Sequence, residues 1–310
     1  MEFTAPQLAT LVAAVPAGDA WLHEQKFDGY RIEAVRTRAG VRLYTRRGND
    51  WTDTFPTIAE AVAKVSAKSF VLDGEVAVLR PDGITDFQGL QQALKTRSPN
   101  LVYFVFDLLE EAGKDLRDQP LLARKARLAK LLAKAPSVLR FSEHVVGRGE
   151  QLFAEACKRG LEGIICKRAD AAYTSGRGKT WVKVKCHRRQ ELVVGGFTDP
   201  EGSRSGLGAL LVGYYEGKQL RYAGKVGTGF NMQSLGELFA ELAPLERATS
   251  AFTPAPPRAQ TGPRAHWVEP KLVVEVQFGE WTRDGRLRHP SFQGMRRDKR
   301  PKDVVREAPQ

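Results

Sequence analysis

The chain of 310 residues is long enough for one large domain or two domains of moderate size. Its hydrophobic content of 42% is that of a globular protein with a buried core. Lys and Arg number 48 against 36 Asp and Glu, which gives a formal net charge of +12 and an isoelectric point near 9.7. The excess of positive charge favours a polyanionic partner, nucleic acid first, although a solubilising surface would also account for it.

The cysteines and the N-terminus indicate the compartment. Cys157, Cys166 and Cys186 are far apart in the sequence and form no CxxC pair. This spacing predicts neither a structural zinc site nor a disulfide framework, as expected in a reducing cytoplasm. The N-terminus carries Glu2 instead of a basic segment, and the apolar run at residues 11–15 is too short to span a bilayer. We therefore expect a cytoplasmic protein without a signal peptide or membrane segment.

The first part of the chain alternates short strands with helices. Period-two patterning on both sides of Gly40 predicts a β-hairpin, and leucines at helical spacing after Pro120 predict a helix. The predicted strands are residues 31–35, 41–45, 70–79, 101–109, 161–167 and 181–185, and the predicted helices are 57–65, 120–133 and 150–159.

The character of the sequence changes at residues 186–189. Beyond them we expect strands at 191–197, 209–215, 219–226 and 271–278, one helix at 232–242, and a Pro-rich connector at 253–263. Several strands and one helix in this length suit a small barrel of the OB type. The predicted fold class is therefore α+β, with one domain at residues 1–186 and a second at 187–310.

A candidate nucleophile lies near the N-terminus, where Lys26 precedes Asp28 and Gly29. An isolated Asp-Gly pair is more often an ordinary hairpin turn. A lysine amine attacks only when it is neutral, and its free pKa is ~10.4. Neighbouring cations would lower that pKa. Lys183 and Lys185 alternate on a predicted strand and therefore share one face, from which they could supply this field.

Carboxylates interrupt two of the apolar strands. Asp73 and Glu75 flank a glycine within one strand, and Glu162 opens another. Charged groups in buried strands are unfavourable unless they are paired or bind a metal, and Mg²⁺ prefers such oxygen ligands. Phe106, in a third apolar strand, is a candidate for stacking on a base, although a lone Phe more often belongs to a core. The C-terminal tail at residues 281–306 is basic, and its Trp and Phe side chains indicate an ordered segment.

Taken in order, these segments resemble the covalent nucleotidyltransferases, specifically an ATP-dependent DNA ligase. They are most similar to the ligase domain of bacterial ligase D. The resemblance runs from about Pro6 to Arg306, and Arg47 departs from it because ligase D commonly has Asn there. The matching segments are Lys26–Arg31, Thr45–Gly48, Asp73–Glu75, Phe106–Asp107, Glu162–Ile164, Trp181–Lys185 and Arg296–Lys299.

The resemblance implies an ATP-grasp-like nucleotidyltransferase domain followed by an OB-fold β-barrel. It also implies three steps: a lysine attacks the α-phosphorus of ATP and releases pyrophosphate, AMP moves to a DNA 5′-phosphate, and a 3′-hydroxyl displaces AMP. The implied cofactors are ATP and Mg²⁺ or Mn²⁺. The implied partner is nicked or broken duplex DNA, with a possible Ku-like end-binding protein, and the implied enzyme is a nucleoid-associated monomer.

The resemblance also assigns roles to individual residues. Lys26 would carry the AMP, and Asp28 would support the Lys26 side chain. Lys183 and Lys185 would act in catalysis. Glu24 and Phe106 are assigned to the adenine, Arg31 and Glu75 to the ribose, and Arg46, Lys183 and Lys185 to the phosphates. Ile164 is assigned to the nucleotide without a specified part. Glu75 and Glu162 are assigned to the metal ion, and Arg296 and Lys299 to pyrophosphate when the OB domain closes.

Three alternative functions remain open at this stage. An RNA-capping guanylyltransferase uses the same lysine chemistry with GTP, and an RNA ligase differs only in its substrate. A non-catalytic OB protein would suit the positive charge but gives no reason for Lys26, Glu75, Glu162, Lys183 and Lys185 together. The cysteine-rich zinc region of NAD-dependent ligases is not visible, so ATP is the expected cofactor. Both a stand-alone ligase and a domain of a longer ligase D fit the sequence.

The net charge leads to a prediction about DNA binding. Basic side chains release condensed counterions from phosphates, so affinity for duplex DNA should fall linearly on a logarithmic scale as salt rises. Titrations of labelled duplex at several salt concentrations measure the slope. An affinity that is flat between low and moderate salt would contradict the prediction.

Overall fold

The computed structural model describes residues 3–96, 100–200, 206–262 and 264–307. The chain divides into two compact units, the first ending at Cys186 and the second spanning His187–Glu307. Each unit has its own hydrophobic core. Within the described ranges, no helix is both long and apolar enough to cross a bilayer.

The first unit contains two sheets. Its strands are β1 (Gln7–Leu11), β2 (Trp21–Gln25), β3 (Tyr30–Thr37), β4 (Gly40–Thr45), β5 (Phe70–Val78), β6 (Leu101–Glu111), β7 (Lys114–Asp115), β8 (Leu139–Phe141), β9 (His144–Val146), β10 (Gly163–Arg168) and β11 (Gly176–Lys185). Its helices are α1 (Pro56–Ala63), α2 (Phe87–Thr96), α3 (Leu121–Leu132) and α4 (Gly149–Lys158).

The larger sheet has the order β4-β3-β5-β6-β7, and β8 runs parallel to β6. Strands β3 and β4 form the predicted hairpin, with Gly40 at its turn. Alternate apolar residues of β3, such as Ile32 and Ala34, are fully buried in a core that α1, α2 and α3 also enter. The period-two pattern of this strand thus places one face in the core and leaves the other, with Arg31, for the site.

The smaller sheet has the order β1-β11-β10-β2-β9, with β10 antiparallel to both β2 and β11. Ile164 and Val184 are directly opposite each other and pack into an apolar cluster with residues of α4. Because side chains alternate, Ile165 and Lys183, which also pair, lie on the other face. This register decides which side chains reach the site.

The expectation that the cysteines form no disulfide is wrong. Cys157 and Cys186 are bonded, with their Cα atoms 5.1 Å apart, and Cys166 is free and buried. The antiparallel ladder between β10 and β11 places the end of β11 beside Glu162, whose carbonyl accepts the Cys186 N–H at 2.9 Å. Since α4 ends just before β10, this ladder brings together two cysteines that are 29 residues apart in the sequence.

The second unit is built mainly of strands. They are β12 (Arg188–Thr198), β13 (Leu210–Glu216), β14 (Gln219–Val226), β15 (Glu246–Arg247), β16 (Ala265–Val268), β17 (Val273–Phe278), β18 (Glu280–Trp281), β19 (Leu287–Arg288) and β20 (Ser291–Met295), with helices α5 (Met232–Leu242) and α6 (Arg258–Thr261).

Long strand β12 organises the second unit by pairing with β13, β16 and β17. Helix α5 spans the predicted residues and begins with a capping box between Asn231 and Ser234. The basic tail is ordered, as expected, because β18, β19 and β20 lie within it or at its start. The predicted connector at 253–263 contains α6, and its last residue, Pro263, lies outside the described residues.

Glu33 on β3 provides a test of the fold. Burial raises the pKa of its carboxyl group to about 8, although one oxygen accepts the Thr4 N–H at 2.9 Å. The folded state therefore favours protonated Glu33, and this contribution to stability is lost as the pH rises from about 5 through about 8. Between pH 5 and 8, the free energy of unfolding of the wild type should therefore fall by about 1–3 kcal/mol more than that of Glu33→Gln.

Chemical denaturation of both proteins at several pH values measures this difference. Glu60→Gln, on the exposed face of α1, is the matched control and should keep the wild-type pH dependence. The account of Glu33 is wrong if Glu33→Gln and wild type lose stability equally between pH 5 and 8.

Candidate active site

Lys26 lies directly after β2, at the meeting point of the two sheets of the first unit. Its backbone N–H donates to the Gly163 carbonyl at 3.0 Å, which continues the pairing of β2 with β10. Its Nζ atom donates to Glu162 Oε2 at 2.5 Å. Glu162 is nearly buried, whereas the Lys26 side chain is 20% exposed. The ladder thus presents a partly accessible amine that is held by one carboxylate.

Two glycines permit the close backbone approaches around Lys26. Gly163 has φ of +147°, and a Cβ there would lie 2.1 Å from the Val184 carbonyl oxygen. A Cβ at Gly29 would lie 2.2 Å from the Val76 carbonyl oxygen on β5. Any larger residue would push β10 from β11 or the Lys26 segment from β5. At Gly29, the backbone therefore approaches strand β5 closely.

The charge on Lys26 differs from the sequence-based expectation. Burial alone would lower its pKa, but the carboxylates of Glu162, Asp28 and Glu75 outweigh burial and raise the pKa above its ordinary value. Lys183 and Lys185 therefore do not make Lys26 neutral in this structure. The sequence placed the cations near the amine but did not reveal that a carboxylate lies closer.

Two of the expected phosphate ligands, Lys183 and Lys185, lie on the strand beside Glu162. Lys185 pairs with Gly163 and Lys183 with Ile165 in the ladder, so both lysines flank the strand that follows Glu162. Arg46 follows β4, whose last residue, Thr45, pairs with Ile32 of β3. Arg46 is therefore close to the start of β3, where Arg31 is found. Arg46 thus lies beside Arg31 at the larger sheet, and Lys183 and Lys185 lie beside Glu162 at the smaller one.

Arg31 and Glu75, the expected ribose ligands, are partners in the β3–β5 ladder. Arg31 forms a two-pronged ion pair with Asp73, through Nε at 2.6 Å and Nη2 at 2.5 Å. Asp73 is completely buried, and this pairing compensates its charge. The structure thus gives Asp73 a role that sequence reasoning left unassigned.

Glu24, the expected adenine contact, has a buried carboxylate that is bound by groups of the protein. Its Oε1 atom accepts from Lys125 at 2.6 Å, and its Oε2 atom accepts from Lys167 at 2.8 Å and from the Ser142 hydroxyl at 3.2 Å. Burial would raise the pKa of Glu24, but the two lysines together lower it. With 2% exposure and both oxygens occupied, the carboxylate is a buried anion held by two lysines, and its contact with adenine stays a prediction.

Phe106, the expected stacking residue, is 8% exposed. The Arg31 guanidinium carbon lies 4.6 Å from its ring centroid, and Lys167 Nζ lies 4.3 Å from it. Burial lowers the pKa of Lys167 to about 8, with Lys125 reinforcing and Glu24 opposing the shift. Phe106 therefore already interacts with two cations, and stacking on a base would replace part of these contacts.

The assignment of Ile164 to the nucleotide does not fit the structure. Ile164 is completely buried and packs against residues of α4, on the face opposite Lys183. Its neighbour Ile165 pairs with Lys183 and Glu24, and therefore lies on the same face as both. The sequence pattern located the strand correctly, but which of its residues face the site depends on its register with β11.

Arg296 and Lys299 lie in the second unit within an acidic cluster. Arg296 donates to both oxygens of Asp298 at 2.9 Å and to Glu275 at 3.0 Å. Lys299 Nζ lies 2.8 Å from Glu191. Both cations are thus compensated within this unit, and their role with pyrophosphate stays a prediction.

Several residues of the site were given no role from the sequence. Trp181 is 2% exposed, lies 4.1 Å from Lys167 Nζ, and has an indole nitrogen without a hydrogen-bond partner among the described residues. Tyr173 donates to Asp73 at 2.6 Å from 100 residues away. Alternation along β10 and β11 could have indicated Ile165, Lys167 and Trp181, but Tyr173 lies in a loop without a pattern.

The carboxylates around Lys26 limit the kind of metal site that is possible. Among the described residues, no group of three or more acidic, His or Cys side chains forms a ready cation cage. Glu162, Asp28 and Glu75 nevertheless act together on the Lys26 amine. Such carboxylates fit Mg²⁺ or Mn²⁺ that takes its other ligands from phosphate oxygens and water.

Two family models match the chain. Residues 6–185 match the ATP dependent DNA ligase domain, and residues 203–299 match the ATP dependent DNA ligase C terminal region. These matches cover most of both units and fit the α+β fold, with a nucleotidyltransferase domain followed by an OB-fold domain.

Proteins named as multifunctional non-homologous end joining LigD are similar to this chain. The protein from Pseudomonas aeruginosa is 44% identical over 313 residues, which cover 99% of this chain and 37% of that protein. The protein from Mycobacterium tuberculosis is 40% identical, with coverage of 98% of this chain and 40% of that protein. The chain therefore spans about two fifths of the length of these relatives.

Solved structures agree with these matches. A mycobacterial DNA ligase D complexed with ATP and MES has a TM-score of 0.73, 37% identity and coverage of 98% of both chains. The ligase domain of LigD from M. tuberculosis has a TM-score of 0.55, 38% identity and coverage of 98% of both chains. From the family models, the identities and these structures, we conclude that the chain belongs to the ATP-dependent DNA ligases.

Proposed function

We propose that this protein seals breaks in duplex DNA through a covalent lysyl-AMP intermediate on Lys26. The observation that carries the proposal is the position of Lys26. Its amine lies against Glu162 at the junction of two sheets, with Lys183 and Lys185 on the adjacent strand. A structural lysine would be served by the ion pair alone and would give no reason for this cationic strand. Membership in the ligase family supports the same assignment.

In the first step, the Lys26 amine attacks the α-phosphorus of ATP and pyrophosphate leaves. Lys183, Lys185 and Arg46 are proposed to bind the phosphates and offset their charge, as is general for phosphoryl-group chemistry. Arg31 and Glu75 are proposed to bind the ribose, and Phe106 the base. From the register, we propose Ile165 in place of Ile164 as the aliphatic contact of the nucleotide. Binding by these groups fixes the nucleotide close to the amine.

Two ionic states of Lys26 separate binding from reaction. Burial would lower its pKa, but the carboxylates of Glu162, Asp28 and Glu75 raise it, so the amine is charged and held by Glu162. Attack requires loss of that proton. A divalent cation, when bound, would neutralise negative charge on the phosphates and on Glu162 and Glu75. Glu162 and Glu75 would hold that cation, and the positive charge it supplies would oppose the effect of these carboxylates on the Lys26 pKa.

The second and third steps use DNA. AMP passes from Lys26 to a 5′-phosphate, and a 3′-hydroxyl then displaces it to form the phosphodiester. The net charge of +12 supports binding to the DNA backbone without base recognition. Because the similar LigD proteins are named for non-homologous end joining, we propose a role in DNA repair at ends. A Ku-like end-binding partner, action as a monomer, and a place in the bacterial cytoplasm with the nucleoid belong to the same proposal.

The covalent step leads to a direct prediction. Incubation with ATP should increase the protein mass by one AMP on Lys26, and added pyrophosphate should remove it. Intact-protein and peptide mass spectrometry measure the change. Lys26→Ala should show no adduct, whereas Lys68→Ala, an exposed lysine outside the site, should keep it.

The choice of nucleotide and polynucleotide tests the rest of the proposal. Labelled ATP, but not labelled GTP, should remain on the protein in a denaturing gel, and nicked DNA should be sealed. Labelling by GTP alone would identify a capping enzyme, and sealing restricted to nicked RNA would identify an RNA ligase. Sealing that persists in Lys26→Ala would refute the covalent mechanism.

The ion pair with Glu162 predicts the reactivity of the free amine. Because Glu162 helps to raise the Lys26 pKa, Glu162→Gln should increase acylation of Lys26, about tenfold for each unit by which the pKa falls. In both proteins, acylation should increase with pH. Timed modification without nucleotide or metal, followed by peptide mass spectrometry, measures the rate, with Lys68 as an internal reference. Equal rates of Lys26 acylation in the two proteins would contradict this role of Glu162.

A further inference from the structure

A closed ring of hydrogen bonds surrounds Arg31. The guanidinium donates to both oxygens of Asp73, at 2.6 and 2.5 Å. The Tyr173 hydroxyl donates to Asp73 Oδ2 at 2.6 Å and accepts the Gln7 N–H at 3.0 Å. The Gln7 carbonyl then accepts from Arg31 Nη2 at 3.2 Å, which completes the ring. Each of the four residues thus restrains its neighbours.

The ring spans the two sheets of the first unit. Arg31 and Asp73 lie on β3 and β5, Gln7 lies on β1, and Tyr173 lies in the segment before β11. Gln7 is further fixed by its side chain, which donates to the Thr180 hydroxyl at 2.7 Å. Gln7, Asp73 and Tyr173 are 1%, 0% and 7% exposed. A fully bonded buried ring of this kind holds each side chain in one orientation.

The ring leaves one edge of Arg31 for a ligand. Its Nη1 atom has no hydrogen bond to any described residue, and the side chain remains 18% exposed. Arg31 therefore has two nitrogens committed to the protein and a third available at the site. Because Asp73 fixes the plane of the guanidinium, it also fixes the direction in which Nη1 can donate.

We propose that Tyr173 is a positioning residue for nucleotide binding, which acts through Asp73 on Arg31. This inference rests on the proposed contact between Arg31 and the ribose of ATP. Without the Tyr173 hydroxyl, Asp73 keeps its ion pair but loses the bond that ties it to β1 and β11. The guanidinium then samples more orientations, and ordering it again weakens nucleotide binding.

The protonation state of Tyr173 supports the donor role. Burial and the negative charge of Asp73 both raise the pKa of the tyrosine well above its ordinary value. The hydroxyl therefore keeps its proton throughout the pH range in which the enzyme can be assayed. The bond to Asp73 is in consequence a fixed restraint.

Tyr173→Phe tests the proposal, with Tyr103→Phe as the matched control. Tyr103 is also buried, and its hydroxyl donates to the Ile32 carbonyl at 2.8 Å and lies 3.3 Å from that of Leu72. It faces the core and forms no bond within the ring. Both variants lose one buried hydroxyl, so only an effect that acts through Arg31 should distinguish them. Thermal melting establishes that each variant is folded.

The assay is single-turnover formation of lysyl-AMP over a range of ATP concentrations. Tyr173→Phe should increase the half-saturating ATP concentration about five- to tenfold, the effect of one lost hydrogen bond. The maximum rate should change by less than about twofold, because the reacting atoms are untouched. Tyr103→Phe should change neither value. Asp73→Asn, a second variant that removes the same restraint, should increase the half-saturating concentration at least as much.

A double-mutant cycle identifies the route of the effect. Arg31→Lys alone should increase the half-saturating ATP concentration and reduce the discrimination between ATP and its 2′- and 3′-deoxy forms. Tyr173→Phe should reduce the same discrimination. In the double variant, Tyr173→Phe should add little to the effect of Arg31→Lys, because both substitutions weaken the same contact between Arg31 and the ribose.

The outcomes separate this inference from the function on which it rests. If Arg31→Lys weakens ATP binding but Tyr173→Phe behaves like Tyr103→Phe, the positioning role is wrong and the ribose contact stands. Additive effects of Arg31→Lys and Tyr173→Phe would also exclude action through Arg31. If Arg31→Lys leaves the dependence on ATP unchanged, the proposed ribose contact itself is wrong, and the inference is overturned with it.

Discussion

The pairing of β10 with both β2 and β11 is the constraint on which the candidate site depends. One neighbour carries Lys26 at its end, the other carries Lys183 and Lys185, and Glu162 immediately precedes β10 itself. Backbone hydrogen bonds therefore set the distances between groups that are far apart in the sequence. Because Gly163 makes the closest of these approaches, the geometry around the amine depends on the backbone more than on any side-chain contact.

Charge compensation is the second organising feature of the first unit. Glu24 is held between Lys125 and Lys167, Asp73 binds Arg31, and Asp107 forms a two-pronged pair with fully buried Arg124. Each pair joins different elements, so removal of one partner would leave a buried charge uncompensated. Such pairs restrict the strands and helices to one arrangement and keep the inner faces of the sheets polar enough for a nucleotide.

The sequence predicted elements whose pattern is local. The hairpin around Gly40, helix α5 and the apolar strand that contains Phe106 follow from the spacing of apolar residues, glycine and proline. The resemblance to ligases supplied the family and the order of its motifs. Lys26, Glu162, Lys183 and Lys185 were assigned from that order, and the structure brings them together.

The features that were missed depend on long-range geometry. Whether Ile164 or Ile165 faces the site depends on the register with β11, and the amine of Lys26 is charged because Glu162 lies closer than any lysine. The bond between Cys157 and Cys186 depends on the same ladder. The spacing of residues along the sequence does not determine these distances, because they depend on how strands that are distant in the sequence pair with one another.

The alternation of side chains on β10 has a consequence for variation of chain length. A shift of one residue in its pairing would exchange the faces of the whole strand and place Ile164 and Cys166 where Ile165 and Lys167 now lie. The opposite face would then bring Lys167 against the apolar side of α4. We therefore expect insertions and deletions to be tolerated in the loops beyond the ladder, such as the segment between β10 and β11, and not between Glu162 and Arg168.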